Sequence, residues 1–125
     1  MKKVKLSNGL VIGNLSSPHQ FIFEDGSILE AVDKETTKEF SIKFDDIETQ
    51  NNNKFMTVEK KFIVEYEFYH KLEKICYDFE GEVILVPFML ISALKANNFK
   101  VINKLHTVHI KDRVNKLVSI DKFCR

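Results

Sequence analysis

Two tight-turn signals near the N-terminus restrict the fold more than any other feature of this sequence. Asn8-Gly9 joins two short apolar segments, and Asp25-Gly26 follows a segment in which apolar and polar residues alternate. Asn, Asp and Gly tolerate the positive φ that two-residue hairpin turns require, so each pair predicts an antiparallel hairpin. Residues 1–30 are therefore predicted to form an antiparallel β unit, interrupted by a polar loop at residues 13–19.

The middle of the chain continues with alternating and helical patterns. Phe40, Ile42 and Phe44 alternate with polar residues, which indicates a half-buried strand. Further on, apolar residues recur at helical spacing from Phe68 to Phe79. The predicted elements of this part are a short helical or irregular link (31–39), a strand (39–45), an exposed connection (50–54), a long or bulged strand (55–58 and 62–65) and a helix (66–79).

The last third begins with a glycine. Gly81 follows the predicted helix and is expected to end it in the left-handed conformation. The short apolar run Val83–Val86 predicts a buried strand, and Pro87 stands where a second helix would begin. The elements predicted after Pro87 are a helix (88–97) and two strands (around 101–110 and 114–120). We therefore predict one domain, residues 1–125, with an α+β fold: a mostly antiparallel β-sheet core decorated by two helices.

The composition is typical of a soluble globular domain, with 44% hydrophobic and 30% charged residues. No apolar run approaches the roughly 20 residues needed to cross a bilayer. The N-terminal segment lacks the apolar block of a signal peptide. We expect an intracellular protein without membrane association, in which Cys76 and Cys124 are thiols rather than a disulfide.

Charge is unevenly distributed along the chain. Residues 95–125 carry eight Lys or Arg and two Asp, a net +6, whereas residues 1–94 carry eleven Lys and sixteen Asp or Glu, a net −5. A basic C-terminal quarter favours an anionic partner, although a solvated lysine surface gives the same pattern. The acidic remainder argues against wrapping by long DNA or RNA.

The basic quarter contains an alternating segment that predicts a strand with His109, Lys111 and Arg113 on its polar face. Arg113 is unusual because the chain uses seventeen Lys and only two Arg, the other being its last residue. Guanidinium makes bidentate contacts with phosphate or carboxylate, which Lys cannot make. The segment therefore predicts a strand that faces an anionic ligand.

Two further regions offer polar or aromatic groups to a ligand. In the loop after Gly13, Asn14 and His19 flank serines whose hydroxyl and main-chain N–H groups suit a phosphate. An ordinary polar turn is the alternative there. Phe88, at the start of a predicted helix, could stack on a base, and Asn97 or Asn98 could hydrogen-bond the base edge. Core packing is the alternative for Phe88.

Signatures of enzymes are absent from the sequence. The four glycines match neither a phosphate-binding loop nor a dinucleotide fingerprint. His106, His109 and Cys124 offer ligand types that zinc prefers, but two histidines three apart on a strand point to opposite faces. We expect a protein that is not an enzyme and that uses no cofactor and no metal.

Both ends of the chain resemble a family of small bacteriophage proteins, the Thoeris anti-defence sponges. The resemblance rests on the turn-rich segment from Leu6 to His19 and on Asp112-Arg113-Val114-Asn115-Lys116, followed by the segment from Ile120 to Cys124. The family's two C-terminal arginines are spaced by four; Arg113 matches the second, and His109 stands at the position of the first. Phe88 and Asn98 are counterparts, by residue type and spacing, of an aromatic residue and an asparagine in that family.

The resemblance implies a function as well as a fold. It implies an immune-evasion protein that binds and sequesters a cyclic ADP-ribose-type signalling molecule, or also a cyclic oligonucleotide, without cleaving it. The location would be the cytoplasm of the infected bacterial host. It further implies a homo-oligomer with pockets at protomer interfaces. Two alternatives remain: an enzyme that degrades a cyclic nucleotide, and an inhibitor that binds a host protein directly through the acidic region.

Overall fold

A computed structural model describes all residues, 1–125, and its N-terminal part consists of two hairpins. Strands β1 (Lys2–Lys5) and β2 (Val11–Asn14) pair antiparallel around Gly9, whose φ is +91°. Strands β3 (Phe21–Ile22) and β4 (Ile28–Leu29) pair around Gly26, whose φ is +86°. Both hairpins predicted from the Asn-Gly and Asp-Gly pairs are confirmed.

The following segment contains a short helix, as one of the two forms predicted for the link 31–39, but the strand predicted at 39–45 begins later. Helix α1 (Lys34–Glu39) begins after Asp33, whose Oδ1 accepts the Thr36 N–H at 2.7 Å. This N-cap starts the helix, and Phe40 then packs in the core from the helix end. Strand β5 consequently begins only at Lys43 and runs to Gln50. It pairs antiparallel with β6 (Met56–Ile63), across the predicted exposed connection.

Helix α2 (Tyr66–Asp78) confirms the amphipathic pattern, but its end differs from the prediction. Gly81 is not among the residues with positive φ, and the C-cap residue Phe79 is extended. A side chain at Gly81 would place its Cβ 2.5 Å from the Val11 carbonyl oxygen and from the Phe79 ring. Gly81 is therefore required by close approach of the backbone to a neighbouring strand, and the prediction of a left-handed cap is wrong.

A five-stranded mixed sheet forms the centre of the molecule, in the order β1-β2-β7-β8-β9. Its remaining strands are β7 (Val83–Leu85), β8 (Leu105–Asp112) and β9 (Leu117–Cys124), and helix α3 (Phe88–Ala96) connects β7 to β8. β7 lies between β2 and β8 and is parallel to both, whereas β8 and β9 are antiparallel. Four of the six strand pairings in the molecule are antiparallel, two of them in the central sheet, which confirms the α+β fold with mostly antiparallel sheets; the structure has three helices where two were predicted.

The last two strands lie later in the chain than predicted. Val101 and Ile102 are apolar because they pack against the helical side of the core, although they belong to a connection and not to a strand. The turn between β8 and β9 is fixed by Asp112, whose Oδ1 accepts the N–H groups of Val114 and Asn115 at 3.0 and 3.2 Å.

Apolar layers cover both faces of the central sheet. On one face, Ile84 and Leu105 pack against α2 and α3. On the other face, Val83 and Leu85 pack against Phe23 and Leu29 of the β3–β4 region. Alternation within β7 thus supplies both layers, as expected for a strand with neighbours on both faces. No helix is long and apolar enough to cross a membrane.

Candidate functional site

A crevice opens where the parallel strands β2 and β7 end. Its volume is about 470 Å³, and its walls come from the segment after β2, the segment after β7 and the middle of β8. Open sheets with parallel strands commonly bind ligands outside the carboxyl ends of those strands. Its lining residues include Ser17, His19, Phe21, Pro87, Phe88 and Val108. We call this cavity the aromatic crevice.

Phe88 is the exposed aromatic side chain of the aromatic crevice. It is the first residue of α3, and 64% of it remains accessible although it follows a buried strand. Pro87 precedes it as the N-cap residue, and no side chain caps the helix N-terminus. The crevice therefore combines an accessible aromatic ring with the positive end of a helix dipole. Core packing, the alternative for Phe88, does not occur.

The loop after β2 shapes the opposite wall. Asn14 is fully buried: its Nδ2 donates to the carbonyl oxygens of Ser17 and Glu30 at 3.1 and 2.9 Å, and its Oδ1 accepts the Ser17 N–H at 2.9 Å. The hydroxyl of Ser17 in turn accepts the His19 N–H at 3.1 Å. Asn14 thus has no free group for a ligand and fixes the loop instead, whereas exposed His19 lines the crevice.

A second depression, of about 560 Å³, adjoins the turn between β8 and β9. Its lining residues are Val108, His109, Ile110, Arg113 and Lys116. Arg113 and Lys116 are exposed, and neither takes part in any ion pair of the structure. We call this cavity the cationic depression. Unpaired cations in a concave surface favour an anionic ligand.

The turn that carries Arg113 is held by a network around Asp112. Asp112 Oδ2 accepts the Asn115 Nδ2 at 2.8 Å, in addition to the two main-chain N–H groups that Oδ1 accepts. The hydrogen bonds from Asn115 lower the pKa of the Asp112 carboxyl group below its ordinary value. Lys116 closes the turn in the left-handed conformation, with φ +56°. A fixed turn reduces the entropy lost when Arg113 binds a ligand.

Lys111 lies on β8 but does not line the cationic depression. Its ammonium group forms an ion pair with Glu24, which also accepts the Ile120 N–H at 3.1 Å. The hydrogen bond between the two side chains raises the pKa of Lys111 and lowers the pKa of Glu24. Lys111 thus joins the β3–β4 region to the central sheet, and its charge is neutralised there.

His109 lies on β8 and lines the cationic depression, and its polar neighbour there is the thiol of Cys124. Its Nδ1 lies 3.8 Å from the Cys124 Sγ on the paired strand. His106 points elsewhere: its Nδ1 is 3.2 Å from the Lys104 carbonyl oxygen, and its ring meets Phe123 edge-on. No group of three or more His, Cys, Asp or Glu side chains is arranged to hold a metal ion.

Asn98 is separated from both cavities. It follows the C-terminal end of α3, ten positions after Phe88, so about 15 Å lies between them along the helix axis. Its φ is +62°, and its N–H donates to the Lys95 carbonyl oxygen at 3.1 Å. Asn97 is also engaged, because its Nδ2 donates to the carbonyl oxygens of Phe62 and Ala93. The predicted pairing of Phe88 with an asparagine is not formed within one chain.

Four predicted residues line the two cavities that share the side chain of Val108. Val108 lines both the aromatic crevice and the cationic depression, so Phe88 and His19 lie on one side of it and His109 and Arg113 on the other. Sequence reasoning did not single out Val108 or Lys116. The signal for Lys116 was its place in the same Asp-Arg-Val-Asn-Lys turn as Arg113. Comparisons with family models, with curated proteins and with solved structures gave no match.

Proposed function

We propose that this protein binds a cyclic ADP-ribose-type signalling nucleotide and sequesters it without cleaving it, as an immune-evasion protein of a bacteriophage. The place of action would be the cytoplasm of the infected host. Related cyclic oligonucleotides are included in the proposal, because the same groups would recognise them.

One observation carries the proposal: the aromatic crevice and the cationic depression share Val108 as a lining residue. A nucleotide has an aromatic base at one end and phosphates at the other. Phe88 would stack on the base, with His19 beside it, since base–aromatic stacking contributes about 1–3 kcal/mol. Arg113 and Lys116 would bind phosphate oxygens, and His109 would assist. Each cavity has a volume within the roughly 300–1,000 Å³ range of small-molecule sites.

A homo-oligomer belongs to the proposal. Both cavities lie at the surface of a single chain, and sequestration requires a site that excludes water and slows dissociation. A second copy placed over the cavities would enclose the ligand. It would also supply an asparagine side chain, which a single chain does not bring to Phe88. Pockets shared between protomers meet this requirement.

The proposal is tested by thermal shift and calorimetry against cyclic ADP-ribose isomers and against cyclic di- and trinucleotides. A ligand that binds only the native state raises its apparent stability by mass action. We expect one class to raise the melting temperature, and Phe88→Ala to weaken its binding by about 10-fold, from the stacking free energy. Met89→Ala is the control, because Met89 is also exposed and apolar but does not line the crevice.

Ligand recovery separates binding from turnover. After incubation and heat denaturation, chromatography should return the nucleotide intact. Degradation products would instead support an enzyme, and an absence of any thermal shift together with capture of a host protein would support direct inhibition of that protein. Either result contradicts the proposal.

A further inference from the structure

The β5–β6 hairpin projects from the domain as an arm with little cover. All eight residues of β5 and six of the eight residues of β6 are exposed. Five large apolar side chains of the arm are exposed as well: Phe44, Ile47, Phe55, Met56 and Val58. An isolated two-stranded hairpin is marginally stable in water, and open strand edges are templates for pairing with another chain.

The two free edges of the arm differ in charge. β5 carries Asp45, Asp46 and Glu48 against a single Lys43, so antiparallel pairing of β5 with its own copy would bring carboxylates together. β6 carries one carboxylate, Glu59, and two ammonium groups, Lys60 and Lys61. Charge therefore protects the β5 edge and leaves the β6 edge available.

Hydrogen bonding limits the free part of the β6 edge. The Phe62 carbonyl oxygen accepts the Asn97 Nδ2 at 3.0 Å, so it points away from β5. On an antiparallel strand, the main-chain groups of every second residue point the same way. The main-chain groups of Met56, Val58 and Lys60 therefore also point outward. The end at Phe62 is already occupied by α3.

We propose that the β6 edge binds the β6 edge of a second copy of this chain, antiparallel and centred on Val58. In this register Val58 pairs with its own copy and Met56 pairs with Lys60, which forms a four-stranded sheet with about six new main-chain hydrogen bonds. No like charges stand directly opposite each other, and Phe62 is not needed. A contact centred on Lys60 would oppose two ammonium groups and would require Phe62.

The contact goes beyond the proposed nucleotide site and does not rest on it. Asn97, which touches the arm, follows the C-terminal end of α3, whereas Phe88 of the aromatic crevice is at the N-terminal end. A single strand pair buries less than the roughly 800 Å² per partner of a standard interface. The dimer is therefore concentration-dependent and exchanges rapidly.

The test is sedimentation equilibrium of the full chain from micromolar to millimolar concentration, with Val58→Lys and Ile47→Lys as matched variants. Both positions are about half exposed, at 54% and 45%, and each faces a carboxylate within the arm, Glu48 for Val58 and Glu59 for Ile47. Val58→Lys should weaken the dimer at least 10-fold, because two ammonium groups then oppose each other across the twofold axis. Ile47→Lys should leave it unchanged.

A charge-reversed mixture tests the register. Val58→Lys mixed with Val58→Glu should regain association, since opposite charges then meet at the centre. A wild-type chain that stays monomeric at every concentration overturns the proposal. Equal weakening by Ile47→Lys, or a mixture that does not associate, overturns it as well. Circular dichroism verifies that each variant is folded, and nucleotide binding by the variants keeps this result separate from the nucleotide proposal.

Discussion

Arg113 is the residue on which the proposed nucleotide site depends most, because its guanidinium is exposed, unpaired and held on a fixed turn. We expect Arg113→Ala to weaken nucleotide binding at least 10-fold, since truncating one partner of a charge-assisted contact that becomes buried in the complex commonly costs about 2 kcal/mol or more. Calorimetry measures the change. Arg125→Ala is the control, because Arg125 is the only other arginine and donates to the Asn103 carbonyl oxygen, outside both cavities. A dissociation constant that Arg113→Ala leaves unchanged would remove Arg113 from the site.

Asp25 is expected to make the free energy of unfolding depend on pH in the acidic range. The Ser7 N–H donates to its Oδ2 at 2.8 Å and the Ser27 N–H to its Oδ1 at 2.9 Å, and the bond from Ser7 is the largest cause that lowers the pKa of Asp25 to about 2. A carboxyl group whose pKa is lower in the folded state stabilises the fold above its unfolded pKa. That stabilisation is lost as the pH falls from about 4 to about 2.

The expected loss is on the order of 1–2 kcal/mol, reduced from the full value because Asp25 is partly exposed to solvent. Urea unfolding at a series of pH values measures it. Asp25→Asn should flatten this part of the profile and lower the stability at neutral pH. A wild-type profile that is already flat between these pH values would contradict the assignment.

Residue identity also explains which parts of the site the sequence could predict. Arg113 and Phe88 could be chosen as candidates from the sequence because a rare arginine and an aromatic residue after a strand are local signals; the structure places each in the lining of a cavity. Asn14 and Lys111 were included for their chemistry, yet Lys111 pairs with Glu24 and one of the three hydrogen bonds of Asn14 goes to Glu30, both of which are distant in sequence. Whether a polar side chain is free or engaged depends on tertiary contacts, which residue type does not encode.

At the level of elements, Gly81 determines how closely the end of α2 approaches β2. Gly81→Ala should destabilise the fold by about 1–3 kcal/mol, the usual cost of overpacking, because the Val11 carbonyl oxygen cannot move without disturbing the strand. Chemical denaturation measures the change. The double variant Gly81→Ala with Phe79→Leu separates the two contacts. If the Phe79 ring alone caused the clash, the smaller leucine side chain would restore the stability lost in Gly81→Ala. Full restoration would contradict the role given to the Val11 carbonyl.

The periodicity of apolar residues predicted most elements. It misplaced the boundaries at positions where a side chain is buried but the main chain is not paired in a sheet. Phe40 is buried at the end of α1, and Val101 and Ile102 are partly buried in a connection. An alternating apolar pattern indicates which residues face the core. A strand also requires hydrogen-bond partners for its main-chain groups, which the pattern does not indicate. The Asp33 N-cap was the local signal that could have placed α1.

For the whole molecule, the charge distribution limits the kinds of anion that can bind. The net charge is +1, and the unpaired cations Arg113 and Lys116 occupy one small depression. Long nucleic acids need an extended basic surface. We therefore expect no retention of single- or double-stranded oligonucleotides in a gel-shift assay at physiological salt. Retention of either would show that the basic C-terminal quarter acts as a continuous surface.

The position of the aromatic crevice has a consequence for how this protein can change. Its walls come from connections that follow β2 and β7, while the apolar layers that stabilise the sheet lie elsewhere. Substitutions in these connections alter the ligand contacts without removing core side chains. Under the proposed function, a change in the sequestered nucleotide would be followed by substitutions at a few of these loop positions, with little loss of stability.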